Sequence, residues 1–145
     1  MSAEDKARAN RFVDEFFNKK NVGIMDELFT VDYVEYDANF PQGLRGRAAV
    51  KEYYTSFITA FPDMQMTVEH VISEGDKVVQ QLTWTGTHNG PLVGPGGAIP
   101  PTGKRITTTG MHVARIADGK AVEGWGYGDD LGLMQQLGII PTMGG

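Results

Sequence analysis

The stretch KRITTTGMHVARIADGKAVEGWGYGDD, residues 104–130, decides the fold class because its residues alternate on both sides of one turn signal. A period of two residues is typical of a β-strand, in which alternate side chains share a face of the sheet. The ADG triplet at 117–119 separates two such runs and favours a hairpin. We therefore predict two long antiparallel strands in this part of the chain.

The turn leaves two registers open for this hairpin. A two-residue turn at 118–119 places His112 opposite Trp125. A three-residue loop at 117–119, with its glycine at a bulge, places His112 opposite Gly124 instead. We favour the three-residue loop, because it sorts the hairpin into one small, apolar face and one aromatic face.

That register gives a structural reason for the repeated glycines of the second strand. Glycine weakens a strand, so several on one face need a structural reason. Gly124 and Gly126 share a face with His112, and we expect them to open a concavity around it. Trp125 and Tyr127 lie on the other face, where bulky aromatics suit a subunit interface or a packed outer surface.

The rest of the chain places helices before strands. Apolar residues recur at helical spacing in residues 9–17, 24–29 and 48–61, and Pro62 ends the third of these segments. Residues 64–73 and 77–88 alternate around the turn EGD and predict another hairpin, and residues 131–138 predict a short closing helix. Residues 31–37 suit a short strand. Helices followed by antiparallel strands indicate an α+β fold, and 145 residues suit one domain over 1–145.

Composition excludes several classes of protein. The chain carries 13 basic and 18 acidic residues, for a net charge of −5, and no basic stripe, which argues against nucleic-acid binding. The absence of cysteine excludes disulfides and thiolate chemistry. Three scattered histidines without an HExxH pattern predict no metal site. No apolar run approaches the roughly 20 residues of a membrane span, and the polar start lacks a signal peptide, so we expect a cytoplasmic protein.

One long segment, NGPLVGPGGAIPPTG at 89–103, is rich in glycine and proline. A loop of this length inside a compact domain is usually functional or mobile. It does not fit a phosphate-binding loop, because Ala98 stands where that pattern needs glycine and Arg105 where it needs serine or threonine.

Several motifs together resemble the SnoaL-like polyketide cyclases of the nuclear transport factor 2-like (NTF2-like) superfamily. The matching segments are FPDM, SEGDKVV, GTHNG, PPTGKRI, HVARIADGKAVE and DLGLMQQLG, which span about residues 31–138 in order. The resemblance implies a cone in which helices pack on a curved antiparallel sheet and enclose an apolar pocket, commonly in a homodimer. It also implies acid/base chemistry without a cofactor on a polyketide-like substrate.

The family's functional residues carry over unevenly. His112 occupies the place of a family histidine on the strand before the DGK turn. The family's acid/base aspartate falls on Gly126, and a neighbouring family histidine falls on Gly124. The later aspartate of the motif is present as Asp129, and another frequent family histidine corresponds to Tyr36. An intramolecular aldol closure needs a base for the acidic proton and an acid for the developing alkoxide, so Gly126 removes the group expected to do this work.

We take His112, Asp129 and Tyr36 as candidate catalytic residues. The candidate substrate-binding residues are Trp84, His88, Phe40, Phe57, Phe61, Gly124 and Gly126.

Each candidate also has a structural interpretation. His112 could be a hydrogen-bonded core histidine, and Asp129 could be the N-cap of the last helix. Tyr36 could be a packed aromatic and His88 a hydrogen-bonding group of the long loop, and the aromatic residues could be ordinary core. His70, in phase with apolar neighbours, is expected in the core.

The sequence therefore predicts a cofactor-independent cyclase or isomerase for a bulky, apolar, polyketide-like substrate, in which His112 assists and the pocket folds the substrate. One alternative is a small-molecule binding protein or a modified cyclase scaffold without the usual aspartate. Another is a related cofactor-free reaction such as epoxide opening or oxygenation. Conversion of a ligand, as opposed to its retention unchanged, separates an enzyme from a binder.

Overall fold

The computed structural model of the protein describes residues 2–94 and 97–141. Four α-helices are present in this part of the chain, and a π-helical turn at Val13–Asn18 continues the first of them. They are α1 (Ser2–Phe12), α2 (Ile24–Leu28), α3 (Arg47–Ala60) and α4 (Asp130–Gln136). The helical segments predicted from periodicity are therefore observed, with boundaries shifted by a few residues.

The strands form one large sheet and one small one. They are β1 (Phe29–Asp37), β2 (Phe40–Arg45), β3 (Gln65–Glu74), β4 (Lys77–Thr87), β5 (Leu92–Gly94), β6 (Gly97–Ile99), β7 (Arg105–Ala117) and β8 (Lys120–Gly128). The large sheet has the order β2-β1-β8-β7-β4-β3, and β5 and β6 pair with each other. All neighbours in the large sheet are antiparallel except β1 and β8, which run parallel. The predicted α+β class, with helices on a curved and mostly antiparallel sheet, is confirmed.

The core consists of two clusters between the helices and the sheet. The first joins α1, α2 and the start of β1 through buried aromatics such as Phe12, Phe16 and Tyr33. The second joins the end of α3, the long loop and α4 through Phe61, Leu92, Leu133 and other apolar residues. The two clusters support opposite ends of the sheet. The space between them holds the candidate site.

The β7–β8 hairpin corrects the predicted register. The turn has two residues, since Ala117 pairs with Lys120 and both Asp118 and Gly119 have positive φ, as a type I′ turn requires. The three-residue loop is therefore wrong. A bulge between Arg115 and Ile116 pairings then shifts the register, so His112 pairs with Gly126 rather than with Gly124 or Trp125.

The bulge preserves the predicted division into faces. Moving the partner of His112 by two residues, from Gly124 to Gly126, keeps the same parity along β8. His112 and the glycines therefore share the inner face, as expected.

A second bulge, in β3, overturns the expectation for His70. The register shifts between Val68 and His70, which turns His70 to the exposed side of the sheet. The alternation predicted a core position because a single extra residue in a strand leaves no mark on the hydrophobic pattern.

Within the described residues, no helix is long and apolar enough to cross a membrane.

Candidate active site

A cavity of about 700 Å³ lies between the inner face of the sheet, α3, α4 and the small β5–β6 sheet. Its wall is largely apolar and aromatic, with Phe17, Tyr54, Phe57, Trp84, Leu133 and Met134 among the lining residues. Its polar lining includes His112, Asp37, Asp129 and Asp130, and no lysine or arginine occurs among the described lining residues. A concave apolar site with a few convergent polar groups is typical of small-molecule binding.

His112 forms an ion pair with Glu35 in this cavity. The Nε2 atom of His112 lies 3.0 Å from each carboxylate oxygen of Glu35. The side chain of Glu35 is 3% exposed and that of His112 is 20% exposed. Because Nε2 faces Glu35, Nδ1 is the ring nitrogen that remains for another partner.

Two tyrosines lie beside the Glu35 carboxylate. The Tyr33 hydroxyl donates to Glu35 Oε1 at 2.6 Å, and Tyr54 lies beside this carboxylate and helps to lower its pKa. Burial raises the pKa of Tyr33 well above its ordinary value, which keeps its hydroxyl protonated as a donor. A buried carboxylate that accepts from Tyr33 and His112 is satisfied as an anion.

The pKa shifts of His112 and Glu35 both favour the charged pair, an imidazolium beside a carboxylate. Burial raises the pKa of Glu35, but the charge of His112 and the hydrogen bonds outweigh burial and place it below its ordinary value. Burial lowers the pKa of His112, but the charge and hydrogen bond of Glu35 and the charge of Asp37 outweigh burial and raise it. Both directions favour a proton on His112 and a negative charge on Glu35.

The glycines of β8 make room for this pair. A Cβ at Gly124 would overlap the Tyr33 hydroxyl and lie 2.6 Å from His112 Cε1 and 2.8 Å from Glu35 Oε1. Gly124 is buried and is not among the lining residues of the cavity, so the space it opens is filled by protein. Gly126 does line the cavity.

Asp37 supplies a second carboxylate beside Gly126. A Cβ at Gly126 would lie 3.2 Å from Glu35 Oε2 and 3.8 Å from Asp37 Cβ. Asp37 accepts hydrogen bonds from the Tyr53 hydroxyl at 2.6 Å and from the backbone N–H groups of Asn39 and Phe40. The carboxylates around the expected aspartate position thus come from β1 instead of β8.

Two more aspartates stand at the end of β8. Asp129 caps α4 by accepting from the Gly132 backbone N–H at 2.9 Å, as its structural interpretation anticipated, and it also lines the cavity. Asp130 is its neighbour. Burial, together with the charges of Asp37 and Asp129, raises the pKa of Asp130.

Tyr36 borders the cavity but does not approach His112. It pairs with Trp125 across the parallel β1–β8 ladder, and the two rings stack with centroids 5.9 Å apart. Tyr36 alternates with Glu35 along β1, so its ring lies on the outer face of the sheet. There it covers Gly43.

The remaining predicted binding residues divide between the wall and the core. Trp84 and Phe57 line the cavity. Phe61 is fully buried beneath Trp84, and Phe40 packs edge-on against Tyr53 outside the lining. His88 is also fully buried.

His88 serves the long loop. Its Nδ1 accepts from the Thr102 backbone N–H at 3.2 Å, and burial lowers its pKa. The hydrogen bond joins the two ends of the segment 89–103.

The sequence reasoning missed Glu35, Tyr33 and Tyr53. A signal was present in VDYVEYD, where Tyr33, Glu35 and Asp37 alternate on one face of a strand. The partner of Glu35 lies 77 residues away on β7, and the parallel β1–β8 pairing together with the β7–β8 hairpin brings the two together.

In the described part of the chain, no group of three or more histidines and acidic residues could hold a metal ion. The arrangement offers one imidazolium, a satisfied buried carboxylate and further carboxylates at an apolar cavity. It can bind a bulky molecule and move protons at its polar end.

The fold and cavity define an NTF2-like cone with an internal small-molecule site. The sequence matches the SnoaL-like polyketide cyclase family over residues 7–137. The chain therefore belongs to this family.

Individual relatives give the same picture. The chain is 29% identical to nogalonic acid methyl ester cyclase of Streptomyces nogalater, over 84% of this chain and 89% of the relative. It is 32% identical to the aklanonic acid methyl ester cyclase DnrD of Streptomyces peucetius, over 81% of this chain and 82% of the relative. The crystal structure of AclR from Streptomyces galilaeus, a proposed hydroxylase, is similar with a TM-score of 0.85 and 28% identity, covering 98% of this chain and 89% of AclR.

Proposed function

We propose that the protein is a cofactor-independent cyclase or isomerase that acts on a bulky, polyketide-like substrate. The observation that carries this proposal is the presence of a histidine paired with a buried carboxylate, His112, and a second carboxylate, Asp37, in one apolar cavity of about 700 Å³. These are an acid and a base, the two groups that an aldol closure needs.

In this mechanism Asp37 is the base. Its carboxylate removes a proton from the carbon alpha to a substrate carbonyl, and the resulting enolate carbon attacks a second carbonyl of the same molecule. One C–C bond forms, the π bond of the acceptor carbonyl breaks, and its oxygen takes a proton from His112 Nδ1. Asp37 is left protonated and His112 neutral, and transfer of a proton through solvent restores both.

The apolar wall contributes by folding the substrate. Holding two parts of one molecule in a reactive geometry can supply several kcal/mol without any charged group. Phe57 and Trp84 line the cavity and provide flat surfaces for the fused aromatic rings of a substrate. The aldol carbons would then lie near His112.

The test uses aklanonic acid methyl ester and nogalonic acid methyl ester as probes, with product detected by mass spectrometry. The wild type should convert at least one of them, and His112→Gln and Asp37→Asn should each lower turnover at least about tenfold. Asp32→Asn, at an exposed position on the same strand as Asp37, is the matched control and should leave turnover unchanged.

The other possible functions give different results in the same assay. Retention of a probe through purification without conversion would identify a binding protein and contradict the cyclase proposal. A product heavier by one oxygen atom would identify a hydroxylase. Full turnover in His112→Gln would remove His112 from the mechanism.

We also propose that the protein forms a homodimer through the outer face of the sheet. Ile72, Met111 and Tyr127 lie on that face and are 64%, 47% and 68% exposed. Exposed apolar groups that continue across neighbouring strands mark an interaction surface. Sedimentation should show a dimer for the wild type and a monomer for Tyr127→Glu, whereas a monomeric wild type would contradict this proposal.

A further inference from the structure

A network of side chains from β1, α3 and β7 lies against the bare inner face of β8, and the proposed acid/base chemistry does not account for it. Glu35 is 2% exposed, although it is charged and lies in a sheet strand. A buried charge is costly unless partners compensate it. Here the Tyr33 hydroxyl and His112 both direct donors at the one carboxylate, and Tyr54 lies beside it.

The network also depends on the absence of a side chain. A methyl group at Gly124 would overlap the Tyr33 hydroxyl and approach both His112 and Glu35 more closely than real Cβ atoms do. Gly124 is not at a positive φ, so turn geometry does not require glycine here. The required feature is the space above its Cα.

We propose that Glu35, with Tyr33, Tyr54 and the bare face of Gly124, is a positioning unit that fixes the His112 ring in the cavity as a proton donor. Both carboxylate oxygens lie 3.0 Å from Nε2, which restrains the ring and leaves Nδ1 for the substrate. Gly124 is thus a positioning residue for the acid and not a residue of the substrate surface.

The charged groups around His112 all favour its protonated form. Glu35 and Asp37 on β1 both favour the imidazolium, and the neighbouring positions Gly124 and Gly126 on β8 carry no charge. Its partner on β4, Gln80, is neutral and bonded to Asn10. Glu35 is therefore the main source of the charged form.

The first experiment measures the His112 imidazole by NMR titration, which needs no substrate. Signals are assigned with His112→Gln. In Glu35→Gln, which keeps the shape of the side chain, the pKa of His112 should fall by about one pH unit or more. Glu123→Gln on β8 is the matched control: its carboxylate pairs with Arg115, so the His112 pKa should not change.

The second experiment rests on the proposed function and uses turnover of aklanonic acid methyl ester. Glu35→Gln should lower kcat at least about tenfold with little change in KM. Because an acid form is required, activity falls as pH rises through the His112 pKa, and the variant's fall should occur at lower pH than that of the wild type. If no substrate is turned over, the NMR result still tests the positioning unit.

The third experiment tests the space above Gly124. Gly124→Ala should lower the melting temperature and the His112 pKa, and adding Tyr33→Phe should restore part of the melting temperature, because the hydroxyl makes the closest contact with the new methyl group. An unchanged His112 pKa in a folded Glu35→Gln protein would overturn the proposal. So would wild-type stability in Gly124→Ala.

Discussion

The pair formed by Glu35 and His112 makes the free energy of unfolding depend on pH. The raised pKa of His112 adds stability that is fully present below its unfolded value of 6.5 and is lost as pH rises through the folded value. The lowered pKa of Glu35 adds stability that is present above its unfolded value of 4.5 and is lost as pH falls through the folded value. The two contributions overlap between those values.

The prediction follows for Glu35→Gln, which removes both contributions at once. The difference in free energy of unfolding between the wild type and this variant should be largest between about pH 4.5 and 6.5 and smaller on both sides. Urea denaturation at a series of pH values measures it. A difference that is constant with pH would show that the pair is not ionised in the folded state.

Gly126→Asp restores the residue type expected at this position, but we predict a loss and not a gain. The new side chain would enter between Glu35 and Asp37, where a Cβ already approaches Glu35 Oε2 to 3.2 Å. Three carboxylates in one place repel one another. Thermal denaturation near pH 7 should show Gly126→Asp less stable than the neutral, isosteric Gly126→Asn, and cyclase turnover should not rise; higher turnover would contradict this interpretation of β1.

The sequence allowed the site to be predicted where a residue's own strand determines its face. Alternation in one hairpin placed His112 and Gly126 on the inner face, and the position of Asp129 before a helix predicted its capping hydrogen bond. Glu35 was missed because its role comes from a partner 77 residues away, which local periodicity does not contain. Gly124 lies on the predicted face of the sheet, but the space above it is filled by Tyr33 and is not open to a substrate.

At the scale of elements, the small β5–β6 sheet forms part of the cavity wall through Leu92, Val93 and Gly94. Its connection to α3 is unusually close. The Gly90 N–H donates to the Ala60 carbonyl at 3.1 Å, and a Cβ at Gly90 would overlap the Thr59 carbonyl oxygen. Gly90 therefore joins the segment 89–103 to the end of α3.

We predict that Gly90→Ala releases this segment. A backbone carbonyl cannot turn aside as a flexible side chain can, so the loop must move away from α3. Limited proteolysis should then cut within residues 89–103 faster than in the wild type. Gly94→Ala, where the nearest atom is 3.9 Å from the new methyl group, is the control and should be cut at the wild-type rate. Equal rates for Gly90→Ala and wild type would show that the contact does not hold the loop.

The types of the long periodic elements were predictable because each run has one period, but their registers were not, and β5 and β6 lie in the segment 89–103, which was predicted to be a loop. The β7–β8 turn needed the φ values of Asp118 and Gly119, and both strand bulges shift pairing without changing the hydrophobic pattern. The π-helical turn after α1 is similar: residues 13–18 have a helical pattern, and nothing in it distinguishes a bond to the fifth residue from one to the fourth.

At the scale of the whole molecule, charge should select among substrates. The net charge is −5, and Asp37, Asp129 and Asp130 line the cavity with no lysine or arginine among its described lining residues. A substrate carboxylate would enter this field at a cost, whereas an ester would not.

The corresponding prediction compares one probe in two forms. The free acid of aklanonic acid should have a KM about tenfold or more above that of the methyl ester, and added salt should narrow the gap because it screens charge. Asp130→Asn should also reduce the difference in KM between the free acid and the methyl ester. Equal KM values at low salt would show that the aspartates do not reach the substrate.

The parallel pairing of β1 with β8 has a consequence for how the protein is made. β1 leaves the ribosome early, but its partner comes more than eighty residues later, and contacts between distant segments slow folding. Until β8 arrives, one edge of β1 lacks the neighbour it has in the finished sheet, and such an edge can pair with another chain. Aggregation during synthesis should therefore depend on how quickly the last strand emerges.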